Sequence, residues 1–277
     1  MGNTLLRVGM MILVTALPGL GQATETIRIN GSGTALDLLK PLAGSYQRSN
    51  PRVRIVLEKP LGSSGALKAL LAGALDMAMS SKPLSAEEAG RGARVWVYGK
   101  TPLALITEKG VPVADMTTSQ LEAIYVGRLT QWPQGGPIRL VLRPQGDIDT
   151  QILRSLSPGM NQAVAGAFAR PGMLMAVTDP EATTLVSRTQ GGLGASGLAG
   201  VLVENLPAKV LTLNGVRPTT AALASGAYPL AKEINVVTTS KTPPAALAFL
   251  DFIYSKAGRS LAEKAGVLVT GAAPPHH

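Results

Sequence analysis

Apolar and polar residues follow two alternating patterns along the first third of the chain. Residues 27–30, 52–58 and 74–79 show the alternation or the short apolar run that is typical of strands. Residues 35–46 and 66–71, which lie between them, carry apolar side chains at helical spacing. A regular order of strand, helix and strand predicts a parallel sheet joined by right-handed crossovers.

The same alternation continues to the C-terminus. A strand within residues 95–107, interrupted at Gly99 and Pro102, is expected to leave this first unit. A capping-box pattern begins a helix at Ser85, because Glu88 stands three positions later. Further helices are predicted at 117–125, 151–156, 161–169, 183–189, 245–254 and 259–265, and further strands at 138–143, 191–196, 210–216 and 234–239. The chain is therefore an α/β protein in which βα units recur.

Turns rich in glycine and hydroxyl side chains follow the first three predicted strands. They are residues 31–34 (Gly-Ser-Gly-Thr), 62–65 (Gly-Ser-Ser-Gly) and 80–81 (Ser-Ser). Ligands of open parallel sheets bind at the carboxyl ends of the strands, and free amides at a helix N-terminus favour an anion. Each hydroxyl could instead cap the helix that follows it, as Ser and Thr commonly do. Three such turns at equivalent positions favour a binding crevice.

The N-terminus has the pattern of a cleavable secretory signal. Residues 8–17 are apolar, Pro18 and Gly19 break this run, and residues 21–23 end in small residues suited to a signal peptidase. The apolar run is too short to span a bilayer. No cysteine follows for a lipid anchor, so we expect a periplasmic protein that begins near Thr24.

Composition excludes several classes of function. The net charge of +9 favours anionic ligands or surfaces. Only 4% of the residues are aromatic and no dense basic run is present, which argues against nucleic acid as a partner. Both histidines stand at the extreme C-terminus, which leaves none for a catalytic triad or a histidine-ligated metal. We therefore expect no catalytic residue, metal or cofactor. Methionines 77, 79, 173 and 175 are expected in core strands.

Motifs in a fixed order extend over nearly the whole chain after residue 23. They are residues 31–34, 62–65 and 80–84 (Ser-Ser-Lys-Pro-Leu), the helix around Leu121 with residues 127–132, Arg143 after its strand, residues 228–230 (Tyr-Pro-Leu), and residues 252–258 with 265–266. This series resembles the periplasmic phosphate-binding proteins of phosphate-specific ABC transporters, within the type II periplasmic binding proteins.

The resemblance implies two α/β lobes, each a mainly parallel sheet flanked by helices, that close on an oxyanion. Residues 24–105 and 229–277 would form the first lobe, and residues 106–228 the second. The implied partners are inorganic phosphate or a related oxyanion and an inner-membrane ABC permease, with the chain acting as a monomer and not as an enzyme.

The resemblance also implies which residues hold the anion. In the first lobe they are Gly33, Thr34, Ala35, Ser63, Ser64 and Ser81. Ser81 stands where many members carry an aspartate that accepts the proton of hydrogen phosphate, so discrimination against sulfate is expected to be weaker.

In the second lobe, Arg143 is expected to supply the fixed charge. Where family members carry a Ser-Gly-Thr cluster after it, this chain has Asp147, Ile148 and Asp149, followed by Thr150. Two carboxylates would repel a dianion if they faced it. Asp149 could simply cap the next helix while Asp147 faces water, or an aspartate could neutralise Arg143.

Two other functions are alternatives to anion transport. The protein could have lost or changed its ligand and serve as a sensory or assembly partner, because a fold does not determine a function. A serine hydrolase that uses Ser63 or Ser64 with Lys68 as base is disfavoured, because a surface position for Lys68 is the commoner arrangement.

Overall fold

The computed structural model describes residues 24–205 and 207–275. The predicted signal sequence, residues 1–23, and the two terminal histidines lie outside the described residues. The strands are β1 Glu25–Gly31, β2 Val53–Leu57, β3 Met77–Ser80, β4 Arg94–Glu108, β5 Asp115–Met116, β6 Arg139–Leu142, β7 Leu174–Met175, β8 Gly192–Gly197, β9 Ala208–Val210, β10 Thr212–Leu213, β11 Ala231–Thr238 and β12 Leu268–Val269. The helices are α1 Gly33–Ser49, α2 Gly62–Leu71, α3 Ala86–Gly90, α4 Thr118–Tyr125, α5 Ile148–Ser155, α6 Pro158–Ala167, α7 Asp179–Arg188, α8 Leu198–Glu204, α9 Thr220–Ala224, α10 Pro244–Tyr254 and α11 Lys256–Lys264.

One main sheet runs through the molecule in the order β2-β1-β3-β11-β4-β8-β6-β7. Strands β1, β2 and β3 are parallel at one end, and β6, β7 and β8 are parallel at the other. Strands β11 and β4 join the two parallel groups through antiparallel pairs. The predicted α/β fold with two mainly parallel units is confirmed.

Strand β4 belongs to both halves. Its residues from Arg94 to Pro102 pair with β11, and those from Leu103 to Thr107 pair with β8. The predicted interruption at Gly99 and Pro102 is wrong, because β4 is one strand of 15 residues. At Gly99 the backbone of Leu268 passes so close that a side chain would collide with it. The glycine therefore permits a close approach and does not end the strand.

Each half has its own apolar core. One packs β1, β3 and β11 against α1, α10 and α11, and the other packs β4, β6 and β8 against α4, α6 and their neighbours. The predicted lobe boundaries, 24–105 with 229–277 and 106–228, stay a prediction.

Two of the four methionines predicted to lie in core strands are buried in the core. Met77 and Met79 are about 1% exposed, in strand β3. Met175 is 43% exposed, so the prediction is wrong there. Met173 precedes β7 and is only partly buried. The reason is that β7 is two residues long and forms the edge of the sheet.

Within residues 24–205 and 207–275, no helix combines the length and the apolar character that crossing a bilayer would require.

Candidate anion-binding site

The three hydroxyl-rich turns meet at one end of the sheet. The hydroxyls of Ser32 and Ser81 lie 2.9 Å apart, which joins the turn after β1 to the turn after β3. The Ser81 amide donates to Ser63 Oγ over 2.9 Å, which brings in the turn after β2. The predicted convergence of these turns is confirmed, because parallel strands present their carboxyl ends at the same edge.

Helices α1 and α2 both begin at this edge. Their N-cap residues are Ser32 and Leu61, and neither side chain makes a capping hydrogen bond. The Ser32 hydroxyl contacts Ser81 instead, so the alternative that Ser32 merely caps α1 is wrong. Gly62 has a φ of +69°, a left-handed conformation that lets the chain turn sharply into α2. The amides of two first helical turns are therefore left for other acceptors.

A cavity of about 310 Å³ lies between this edge and the opposite half of the molecule. This volume is at the lower end of the range for small-molecule sites, which suits a small ligand. Its walls are formed by Ser32, Gly33, Pro60, Leu61, Gly62, Ser63, Ser64, Lys82 and Pro83 on one side and by Arg143, Gly146, Asp147, Ile148, Gln151, Val177, Thr178, Asp179 and Lys232 on the other.

The structure brings half of the predicted site residues to the cavity wall. They are Gly33, Ser63, Ser64, Arg143 and Asp147. The other predicted residues, Thr34, Ala35, Ser81, Asp149 and Thr150, are buried and do not line the cavity. Ser81 supports the wall through Ser32 and Ser63, and the Thr150 hydroxyl donates to the Arg143 carbonyl.

Arg143 is paired with Asp147. The guanidinium donates to both carboxylate oxygens, through Nη2 at 2.7 Å and Nε at 3.3 Å. Asp147 is also the N-cap of α5, where it accepts from the Asp149 amide at 2.9 Å. An aspartate therefore neutralises Arg143, as one of the two alternatives predicted. The other alternative is wrong, because the N-cap of α5 is Asp147, which does not simply face water, and not Asp149.

Asp149 is fully buried beside Lys232. Its Oδ1 lies 2.6 Å from Lys232 Nζ, and its Oδ2 lies 3.9 Å from Arg143 Nε. The Lys232 contact is an ion pair by distance only, so within the described residues both Asp149 oxygens lack a hydrogen bond of good geometry. Burial raises the pKa of Asp149 to about 7, although Lys232 opposes the shift.

Asp179, the first residue of α7, crosses from its own half to α1. Its Oδ2 accepts from the Thr34 amide at 3.2 Å, and its Oδ1 accepts from the Thr34 hydroxyl at 3.0 Å. Lys232 Nζ also donates to Oδ1. Burial alone would raise the pKa of Asp179, but Lys232 and Arg143 outweigh it and hold that pKa below its ordinary value. Asp179 is therefore a buried carboxylate anion.

Comparison with known proteins assigns the chain to a family. A model described as a PBP superfamily domain matches residues 18–257. The chain belongs to the PBP superfamily. The predicted resemblance to this superfamily is confirmed.

Similar proteins carry names that refer to phosphate. The chain is 24% identical over 256 residues to the phosphate-binding protein PstS of Borreliella burgdorferi, covering 88% of this chain and 90% of the relative. It is also 24% identical over 245 residues to the phosphate-binding protein PstS of Bacillus subtilis, covering 85% and 77%.

A solved structure of a similar protein has the same fold. A putative phosphate ABC transporter substrate-binding protein of Clostridium perfringens, solved with bound phosphate, aligns with a TM-score of 0.74. The two chains are 22% identical, and the alignment covers 89% of this chain and all of the other.

Two members of the charged network, Asp179 and Lys232, are not among the residues predicted from the sequence. A signal for Lys232 does exist in β11, where Lys232, Ile234 and Val236 alternate and so share one face of the strand. Ile234 and Val236 are core residues, so a lysine in register with them indicates a buried cation that needs a partner. Asp179 carries no comparable signal, because an acidic residue in a first helical turn is common.

Proposed function

We propose that this PBP superfamily member is an exported solute-binding protein that captures phosphate or a related oxyanion in its interlobe cleft. The observation that carries the proposal is the cavity whose walls place the uncapped N-terminus of α2 and serine hydroxyls opposite a buried arginine. Hydroxyls, backbone amides and guanidinium are the donors that hold oxyanions in proteins.

Each wall would have a distinct part in binding. Ser63, Ser64 and the first turn of α2 would donate to the oxyanion oxygens from one side. Arg143 would supply the positive charge from the other, sharing its donors between the ligand and Asp147. Closure of two domains around a ligand is a common way to sequester it from water. The other five predicted residues would support the cavity wall from the buried side. They are Thr34, Ala35, Ser81, Asp149 and Thr150.

The remaining parts of the proposal concern the protein's setting. Residues 1–23 would be removed on export, and the periplasmic protein would pass its ligand to an inner-membrane ABC permease as a monomer. Relatives named as phosphate-binding proteins support this role. A hydrolase is not supported, because Lys68 is exposed and lies outside the cavity wall.

Calorimetric titration of residues 24–277 with phosphate tests the proposal. The wild type should bind, and Arg143→Gln should weaken binding by about tenfold or more, because a charged donor is lost. Arg139→Gln is the matched control, since Arg139 is exposed on the same strand and should leave affinity unchanged. Absence of binding at millimolar phosphate and at millimolar sulfate would overturn the proposal.

A second candidate is favoured by one observation, the pairing of Asp147 with Arg143. The protein would then have lost or changed its ligand and would serve as a sensory or assembly partner. Replacement of residues 147–149 by Ser-Gly-Thr should in that case create phosphate affinity that the wild type lacks. A wild type that binds phosphate, or a variant that gains no affinity, would count against this candidate.

A further inference from the structure

The carboxylate of Asp179 lies where the first turn of α1 would meet a bound anion. It accepts from both the amide and the hydroxyl of Thr34, at 3.2 Å and 3.0 Å. A carboxylate resembles an oxyanion at such a place, because it is negatively charged and only accepts hydrogen bonds. The helix dipole adds to the attraction. Asp179 therefore satisfies the α1 terminus by the same chemistry that a ligand would use.

Glycines at two positions allow this contact. A Cβ at position 33 would lie 2.5 Å from Pro180 Cδ and 2.9 Å from Asp179 Cβ. At position 197, at the end of β8, a Cβ would collide with the Thr34 side chain. Asp179 and Pro180 can therefore lie against Gly33, and Gly197 against Thr34, only because neither glycine carries a side chain. Thr34 is completely enclosed as a result.

The charged network around Asp179 holds more carboxylates than cations. Among the described residues of the network, Asp147, Asp149 and Asp179 face only two cations, Arg143 and Lys232. Lys232 already has Asp149 2.6 Å away, and Arg143 already has Asp147. The surplus of negative charge agrees with the raised pKa of Asp149. Lys232 donates a hydrogen bond to Asp179, and when an anion displaces this carboxylate, the ligand and Asp149 remain to balance the charge of Lys232.

Asp179 also lines the cavity in which the ligand is proposed to bind. Gly33 and Thr178, its neighbours on the two sides of the contact, line the same cavity. An anion in the cavity would thus lie next to the Asp179 carboxylate. Two anions side by side in a partly buried site repel one another, and only one of them can accept from Thr34.

We propose that Asp179 is a specificity-determining residue of the anion site, an internal competitor that holds the α1 terminus until an oxyanion displaces it. This inference rests on the proposed function. Asp179 lowers the affinity for phosphate, and its removal opens the Thr34 amide and hydroxyl to the ligand.

The test compares phosphate titrations of residues 24–277 carrying Asp179→Asn, with Asp179→Ser as a second variant. Each should bind phosphate about tenfold more tightly than the wild type or better, because the repelling charge is gone. Glu181→Gln is the matched control. This variant removes a carboxylate from the same first turn of α7. The Glu181 carboxylate is exposed and accepts hydrogen bonds from the amides of Val177 and Thr178, so the affinity for phosphate should not change. Circular dichroism checks that every variant is folded.

The outcomes separate this inference from the proposed function. If the wild type binds phosphate and both folded Asp179 variants bind equally or more weakly, the inference is overturned and the function stands. If only the Asp179 variants bind, the inference is supported and phosphate is not the ligand of the wild type. If no folded protein binds phosphate, the inference is overturned, and the proposed function is overturned as well when millimolar sulfate also fails to bind. A tenfold gain shared by Glu181→Gln would reflect general charge and would also overturn the inference.

Discussion

The two walls of the cavity satisfy buried polar groups in different ways. In the wall built from the turns after β1, β2 and β3, neutral hydrogen bonds join Ser32, Ser63 and Ser81, and the partly exposed Lys82 pairs with Glu88. In and behind the opposite wall, Arg143 and Lys232 lie among three aspartates, of which Asp149 and Asp179 are buried and Asp147 is partly exposed. A neutral hydrogen bond costs little to lose, whereas a buried charge without its partner costs several kcal/mol. The opposite wall should therefore dominate both the stability and the pH response of the site.

Removal of Lys232 should have the largest effect. Lys232→Met leaves Asp149 and Asp179 buried without the cation that contacts both. The expected loss is about 3–5 kcal/mol of unfolding free energy, measured by urea denaturation near pH 7. Lys241→Met is the control, because Lys241 is exposed and its loss should cost less than about 0.5 kcal/mol. Equal unfolding free energies of the two variants would show that the buried aspartates do not depend on Lys232 for their stability.

Titration of Asp149 should produce the next largest effect. Its pKa lies at about 7 in the folded protein, against an ordinary value of 3.8, because burial disfavours the charged form. Between these values the folded protein holds a proton that the unfolded chain has released, so this group's contribution to stability falls as pH rises. The limiting slope is about 1.4 kcal/mol per pH unit.

Replacement of Asp149 by asparagine should remove this slope, since the neutral amide side chain resembles the protonated carboxyl. Urea denaturation at pH 5 and pH 8 should show that the stability of Asp149→Asn relative to the wild type increases with pH. Four other charged residues face Asp149 and also affect stability: Lys232, Arg143, Asp147 and Asp179. The measurement is therefore the difference in unfolding free energy between the variant and the wild type at each pH. Glu58→Gln, at an exposed position, should show no such change. A difference independent of pH would contradict the assignment.

The hydroxyl pair of Ser32 and Ser81 should give the smallest effect. Ser32→Ala and Ser81→Ala each remove one side of a hydroxyl pair 2.9 Å apart. A double-mutant cycle should yield a coupling energy of about 0.5–1.5 kcal/mol in unfolding free energy, as for an ordinary neutral hydrogen bond. The Ser32 and Ser85 pair, on separate elements, serves as the reference cycle with a coupling close to zero. A coupling larger than the Lys232 effect would reverse the ranking of the two walls.

Much of the fold follows from local pattern. The strand and helix order of the first half, and the capping box at Ser85 and Glu88, are present as predicted. Capping and periodicity depend on residues close in sequence, which is why they can be recognised there. Strand β4 is harder to predict. Gly99 indicates a break by its local preference, yet it serves a contact with Leu268 far along the chain.

Some features of the site can likewise be predicted from the sequence, and others cannot. Convergence of the hydroxyl turns can be predicted, because it follows from the topology of parallel strands. The pairing of Arg143 with Asp147 is local, four residues apart, and is one of the two alternatives that the sequence leaves open. The contact between Thr34 and Asp179 joins residues 145 positions apart, and the Asp179 side chain could equally have faced water. Only tertiary packing decides which carboxylate enters the interior.

A crystal structure of residues 24–277 grown with saturating phosphate shows directly whether the cavity is an anion site. We expect one phosphate in the cavity between the walls, within hydrogen-bond distance of Ser63 or Ser64 on one side and of Arg143 on the other. A cavity without an anion under those conditions, or a phosphate bound only elsewhere, would contradict this expectation.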